Sequence, residues 1–163
     1  MSSVVRLPRR IYRGAEITRA PKIIDDYDFS SVYQPILSPT HRKLVGYEAL
    51  VRVRKNNESI SPFTLFEQAE KNNQTPELDR HLLQLHLDNF AASSQAVWLF
   101  LNINPGTCIH PEASLEKLAL QCHRSGIDPE KVVLELVETA SDNPTALLEF
   151  ILKAKAHGFQ IAI

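Results

Sequence analysis

Three acids and one amide fall inside segments that are otherwise apolar: Glu48 in "GYEALVR", Asn102 in "FLNINP", and Glu135 and Glu138 in "LELVE". Oxygen donors of this kind, brought together, make a hard site suited to Mg²⁺, Mn²⁺ or Ca²⁺ rather than to zinc. Without a cation, clustered carboxylates repel and one of them is forced toward its protonated form. Divalent ions held by carboxylates commonly serve phosphoryl chemistry, activating water and neutralising charge on the phosphate. Arg52 lies on the strand face of Glu48 and has the planar fork that grips a phosphate oxygen pair. Each residue also has a plain alternative: a strand glutamate commonly faces solvent or a neighbouring cation, and Arg52 could serve as a salt-bridge partner for a core carboxylate.

These residues need strands to align them. "SSVYQPILSP" and "KLVGYEALVRVR" read as two extended segments joined by the turn-rich "SPTHRK", a hairpin. Two helical stretches follow, "SPFTLFEQAEKNN" with Ser61 as N-cap before Pro62, and "TPELDRHLLQLHLDNFAAS" with Thr75 before Pro76. The chain then alternates: strand "VWLFLNIN", a helix around "EASLEKLALQCHRSG" stopped by Gly126, strand "VVLELVE", helix "PTALLEFILKAKAHG" stopped by Gly158, strand "FQIAI". Near-continuous apolar strands separated by helices imply parallel pairing in an α/β barrel or a doubly wound sheet. Both architectures collect catalytic groups at the carboxyl ends of the strands, where Asn102 and Glu135 fall.

Composition narrows the function class. At 163 residues and 44% hydrophobic content the chain supports a real core. A net charge of −1 offers no whole-chain case for nucleic-acid binding. Residues 1–27 begin with a basic arm, since Arg6, Arg9, Arg10, Arg13, Arg19 and Lys22 face the single acid Glu16 up to residue 22. The arm reads as a solvated leader, with phosphate or acidic lipid as the alternative contact. It lacks the apolar core of a signal peptide, and no run approaches the roughly 20 apolar residues of a membrane span, so a cytoplasmic location is expected. Cys108 and Cys122 stand outside any CxxC pair, and the six histidines form no HExxH motif.

The motifs "YQPIL", "GYEALVR", "SPFTLFEQAE", "LDR", "LNIN", "LELVET" and "GFQIAI" occur in the order and spacing of the EAL family, the bacterial cyclic di-GMP phosphodiesterases. The chain resembles that family over residues 28–163, the first part of such a domain. The resemblance implies a modified TIM barrel with an antiparallel first strand. It implies hydrolysis of cyclic di-GMP to linear pGpG, with Mg²⁺ or Mn²⁺ as cofactor. By the same resemblance Glu48, Asn102 and Glu135 match metal ligands, and Glu138 matches a residue that holds the active-site loop. Gln34 matches a guanine contact, Arg52 the phosphate contact, and Asp79 in "LDR" a ligand-side position; an acid at a helix start also suits the macrodipole.

The family pattern continues after "IAI" with an Asp-Asp loop and further acids that complete the metal site, so catalytic residues are expected beyond Ile163. Asn104 stands where the family often has Ser. Three readings follow. The chain is the front of an active phosphodiesterase, or a non-catalytic regulator that binds cyclic di-GMP or a protein, or a half-barrel completed as a homodimer across the strand that ends at Ile163.

Overall fold

A hairpin opens the domain because the segments flanking "SPTHRK" alternate inward and outward with matching apolar faces. Strand β1 (Asp28–Ser38) pairs antiparallel with β2 (Lys43–Lys55), in register from Asp28 opposite Arg54 to Ser38 opposite Lys43, with one irregularity between Ile36 and Leu37. The computed structural model describes residues 22–91, 97–103, 115–136 and 144–163. A short strand β3 (Glu58–Ile60) folds back on the end of β2 through Asn56 and Asn57, both at positive φ; the sequence reading did not foresee it. Asparagine tolerates that left-handed backbone, which is why the turn can be so tight.

Helix α1 (Pro62–Lys71) starts with proline at its first turn, and Ser61 stands at the N-cap without a side-chain cap bond. Helix α2 (Thr75–Ala91) follows. Then come β4 (Trp98–Ile103), α3 (Leu115–Arg124), β5 (Val132–Leu136), α4 (Pro144–Ala156) and β6 (Gln160–Ala162). Gly126 and Gly158 close α3 and α4 at positive φ, as the stop signals predict. The strands form one sheet in the order β1-β2-β4-β5-β6, with β3 alongside β2, and every pairing from β2 to β6 along that path is parallel.

Strand alternation gives the sheet two different faces. On one face Leu99, Leu101, Ile103, Val132, Leu134 and Leu136 are buried, packed with Leu83, Leu87 and Phe90 of α2, Ala119 and Cys122 of α3, and Phe150 and Ala154 of α4. A second cluster joins Val51 and Val53 of β2 to Leu65 and Ala69 of α1 and Leu78, Leu82 and Leu85 of α2. The helices thus share one side of the sheet, which is the arrangement of a barrel wall and not of a doubly wound sheet. Glu48, Asn102 and Glu135 alternate onto the opposite face.

Residues 22–27, counted with the arm in the sequence reading, belong to the packed body. They form a 3-10 turn (Ile23–Asp26) in which Ile23 is buried, its N–H donates to Gln74 Oε1 at 2.8 Å, and Lys22 pairs with Glu77. Two apolar residues, Ile23 and Ile24, in contact with the second cluster explain the attachment. Residues 1–21 lie outside the described part.

Candidate metal and nucleotide site

The pairing register sets the site. Gln34 lies opposite Glu48 across β1 and β2, and Asn102 lies opposite Glu135 across β4 and β5. Directly opposed residues share a face, so each pair projects to the same side. Between the pairs, Glu48 is aligned with Phe100, and Asn102 reaches diagonally to it: Asn102 Nδ2 donates to Glu48 Oε1 at 2.9 Å. Asn102 and Glu135 stand next to the last residues of their strands, at the carboxyl edge of the parallel sheet.

Partial burial, and after it the nearby Glu48 carboxylate, raise Glu135 above its ordinary carboxyl range. The donor set, two carboxylates and an amide oxygen, fits a hard divalent cation and supplies part of its six to eight oxygens. Glu48 and Glu135 are the acids in question, and among the described residues no group of three His, Cys, Asp or Glu side chains comes together. Turning the Asn102 amide so that its oxygen faces Glu48 would set acceptor against acceptor; a cation between them removes that conflict.

Arg52 lies on the Glu48 face of β2, opposite Ser30, where its Nη1 donates to the Val51 carbonyl at 3.0 Å and the side chain is exposed. Asp79 is 3% exposed on α2, one heptad before His86. Glu138 lies outside the described residues.

Two features escaped the sequence reading. Gly46 sits where β2 and β4 approach so closely that a Cβ would stand 2.2 Å from the Trp98 carbonyl oxygen; its only signal in the sequence is a lone glycine inside a strand. The second is a buried bolt between β1 and α2. Ser31 Oγ meets His86 Nδ1 at 2.8 Å, Asn89 Nδ2 donates to Ser31 Oγ at 3.3 Å, and the Tyr33 hydroxyl donates to the His86 carbonyl at 2.6 Å. Burial lowers His86 to about 4, with His81 adding to the shift, so the ring is neutral near pH 7.

An EAL-domain-containing protein described as uncharacterized, YkuI of Bacillus subtilis (strain 168), is 28% identical over 141 residues, covering 83% of this chain and 34% of YkuI. The chain therefore spans about a third of the length of the curated relative it matches. The structure of YkuI in complex with c-di-GMP and calcium superposes with a TM-score of 0.69 at 26% identity, covering 85% of this chain and 35% of that one. The calcium and cyclic diGMP complex of Klebsiella pneumoniae BlrP1 gives a TM-score of 0.71 at 21% identity, covering 89% and 36%. The c-di-GMP complex of the PaMucR phosphodiesterase gives 0.70 at 20% identity, covering 83% and 58%. The last two establish the shared fold, and the sheet described above is an incomplete barrel of that type. With the EAL domain family matching residues 15–163, nearly the whole sequence, the chain belongs to the EAL-domain family.

Proposed function

We propose that this chain is the first part of a metal-dependent cyclic di-GMP phosphodiesterase that converts cyclic di-GMP to linear pGpG in the cytoplasm of a bacterium. The observation that carries the reading is the juxtaposition of Glu48, Asn102 and Glu135 at one sheet edge, with Asn102 bonded to Glu48 at 2.9 Å and Glu135 destabilised as a carboxylate beside it. Two acids held at such proximity are unfavourable unless positive charge is supplied there. The YkuI complex, with both c-di-GMP and calcium, supports a nucleotide and a divalent ion as the two occupants.

In this reading Glu48, Asn102 and Glu135 hold Mg²⁺ or Mn²⁺, which supplies Lewis-acid polarisation and charge neutralisation at the phosphodiester. Arg52 adds a forked donor to a phosphate oxygen. Gln34, opposite Glu48, offers an amide that both donates to and accepts from a purine edge. By the family resemblance Asp79 takes a ligand-side position and Glu138 is the residue matched to holding the active-site loop.

The test is isothermal titration of cyclic di-GMP in the presence of Mn²⁺, followed by chromatography for pGpG. Binding that weakens at least tenfold in Glu48→Ala, with the thermal melt retained, is the expected result. Failure of the wild-type chain to bind overturns the proposal. Binding with no pGpG from the protein carrying the acids that follow "IAI" would assign the chain to the regulatory class instead.

A further inference from the structure

The end of the sheet opposite the carboxylate pair carries a surface that the nucleotide reading leaves unused. The first rung between β2 and β4 joins Gly46 to Trp98, so the hairpin beyond it, residues 37–45, extends past β4 with only β1 and β2 paired. At its tip Leu37 and Leu44 are a directly opposed pair, 63% and 37% exposed. His41, Arg42 and Lys43 beside them are exposed as well. Between Asp28 and Glu48 the sequence holds no acid at all. Asp128 and Glu130 precede β5, on the far side of β4, and Asp88 lies near the C-terminal end of α2. The turn is held in shape, since Ser38 Oγ accepts from the His41 N–H at 3.3 Å and meets its Nδ1 at 3.1 Å.

We propose that this hairpin tip docks on an anionic lipid surface. Exposed apolar side chains ringed by cations are the composition of interfacial anchors: the leucines enter the headgroup boundary while Arg42 and Lys43 meet lipid phosphates. A free phosphate or a polyanion would use the cations but has no use for the leucine pair. The geometry also suits access, because the tip lies at the amino ends of the parallel strands and Asn102 and Glu135 at their carboxyl ends. A docked protein keeps its nucleotide-facing edge away from the membrane. No helix among the described residues is long and apolar enough to cross a membrane.

The experiment is co-sedimentation with vesicles of phosphatidylcholine alone and with phosphatidylserine added, at low and high salt. Expected are binding only to the anionic vesicles, a loss of at least about fivefold for Arg42→Glu with Lys43→Glu, and a comparable loss for Leu37→Ser with Leu44→Ser. Because all four side chains are exposed, the variants keep the wild-type melting temperature, measured by circular dichroism. All variants retain the basic N-terminal arm, so undiminished binding by the hairpin variants overturns the proposal. It is equally overturned if the leucine variant binds like wild type, which would make the contact purely ionic, or if a single-stranded oligonucleotide is bound and the vesicles are not.

Discussion

Replacing Gly46 by alanine tests the link between strand packing and the site most directly. The added Cβ would lie 2.2 Å from the Trp98 carbonyl oxygen and 2.8 Å from both the carbonyl carbon and Cβ of that residue. Backbone cannot swing aside as the end of a long side chain can, so β2 and β4 must separate by roughly 1 Å from their usual spacing of about 4.8 Å. That displacement takes hydrogen bonds of about 2.9 Å beyond the range in which they hold. The β2–β4 ladder runs only from Gly46 to Ala49, which leaves few rungs to absorb the change. Overpacking plus one or two weakened bonds amounts to about 2–4 kcal/mol, a large share of the 5–15 kcal/mol that typically separates folded from unfolded chains. Glu48 is two residues along, so its 2.9 Å bond to Asn102 moves with the strand. Urea denaturation and Mn²⁺ titration of Gly46→Ala measure both effects. Gly126→Ala is the control: at φ +70 with nothing within 4 Å of the new Cβ, it carries only the left-handed penalty of about 1–2 kcal/mol and leaves Mn²⁺ binding untouched. If Gly46→Ala has the denaturation midpoint of the wild type, the close approach is not as described and the reasoning fails.

Other consequences can be measured on the same protein. His86 is held neutral in the fold by burial, so the unfolded chain takes up a proton below about pH 6.5 while the folded one does not until about pH 4. Its share of stability is complete above pH 6.5 and is lost as pH falls, about 2 kcal/mol by pH 5; urea curves at pH 7 and pH 5 should diverge less for His86→Gln, and equal divergence would count against the buried neutral ring. Tyr33→Phe removes the bond to the His86 carbonyl and should lower stability by about 1 kcal/mol, read from the same curves. Arg52→Ala should weaken cyclic di-GMP binding about tenfold while leaving the melting temperature within a degree or two, because its side chain is exposed. An unchanged affinity would remove Arg52 from the site. Glu48→Ala, tested as above, should lose cation binding without unfolding.

The residues themselves announced the hairpin, the β-α alternation and the two glycine stops, because each rests on local rules: strand period, proline at a helix start, and the left-handed backbone only glycine adopts easily. They also announced that Glu48, Asn102 and Glu135 sit on strands otherwise built for burial, and the motif order pointed to the EAL family. Alternation even placed Glu48 and Arg52 on one face. It could not say which face the helices would cover, since barrel and doubly wound sheets share the same strand pattern. That was decided by α2, α3 and α4 packing on a single side. Nor could spacing along the chain bring Asn102 to Glu48, 54 residues away; parallel register between distant strands did that. The attachment of Ile23 and the Ser31–His86 bolt were illegible for the same reason. Each depends on a partner far away in sequence, and a contact of that kind exists only once the whole chain has chosen how to pack.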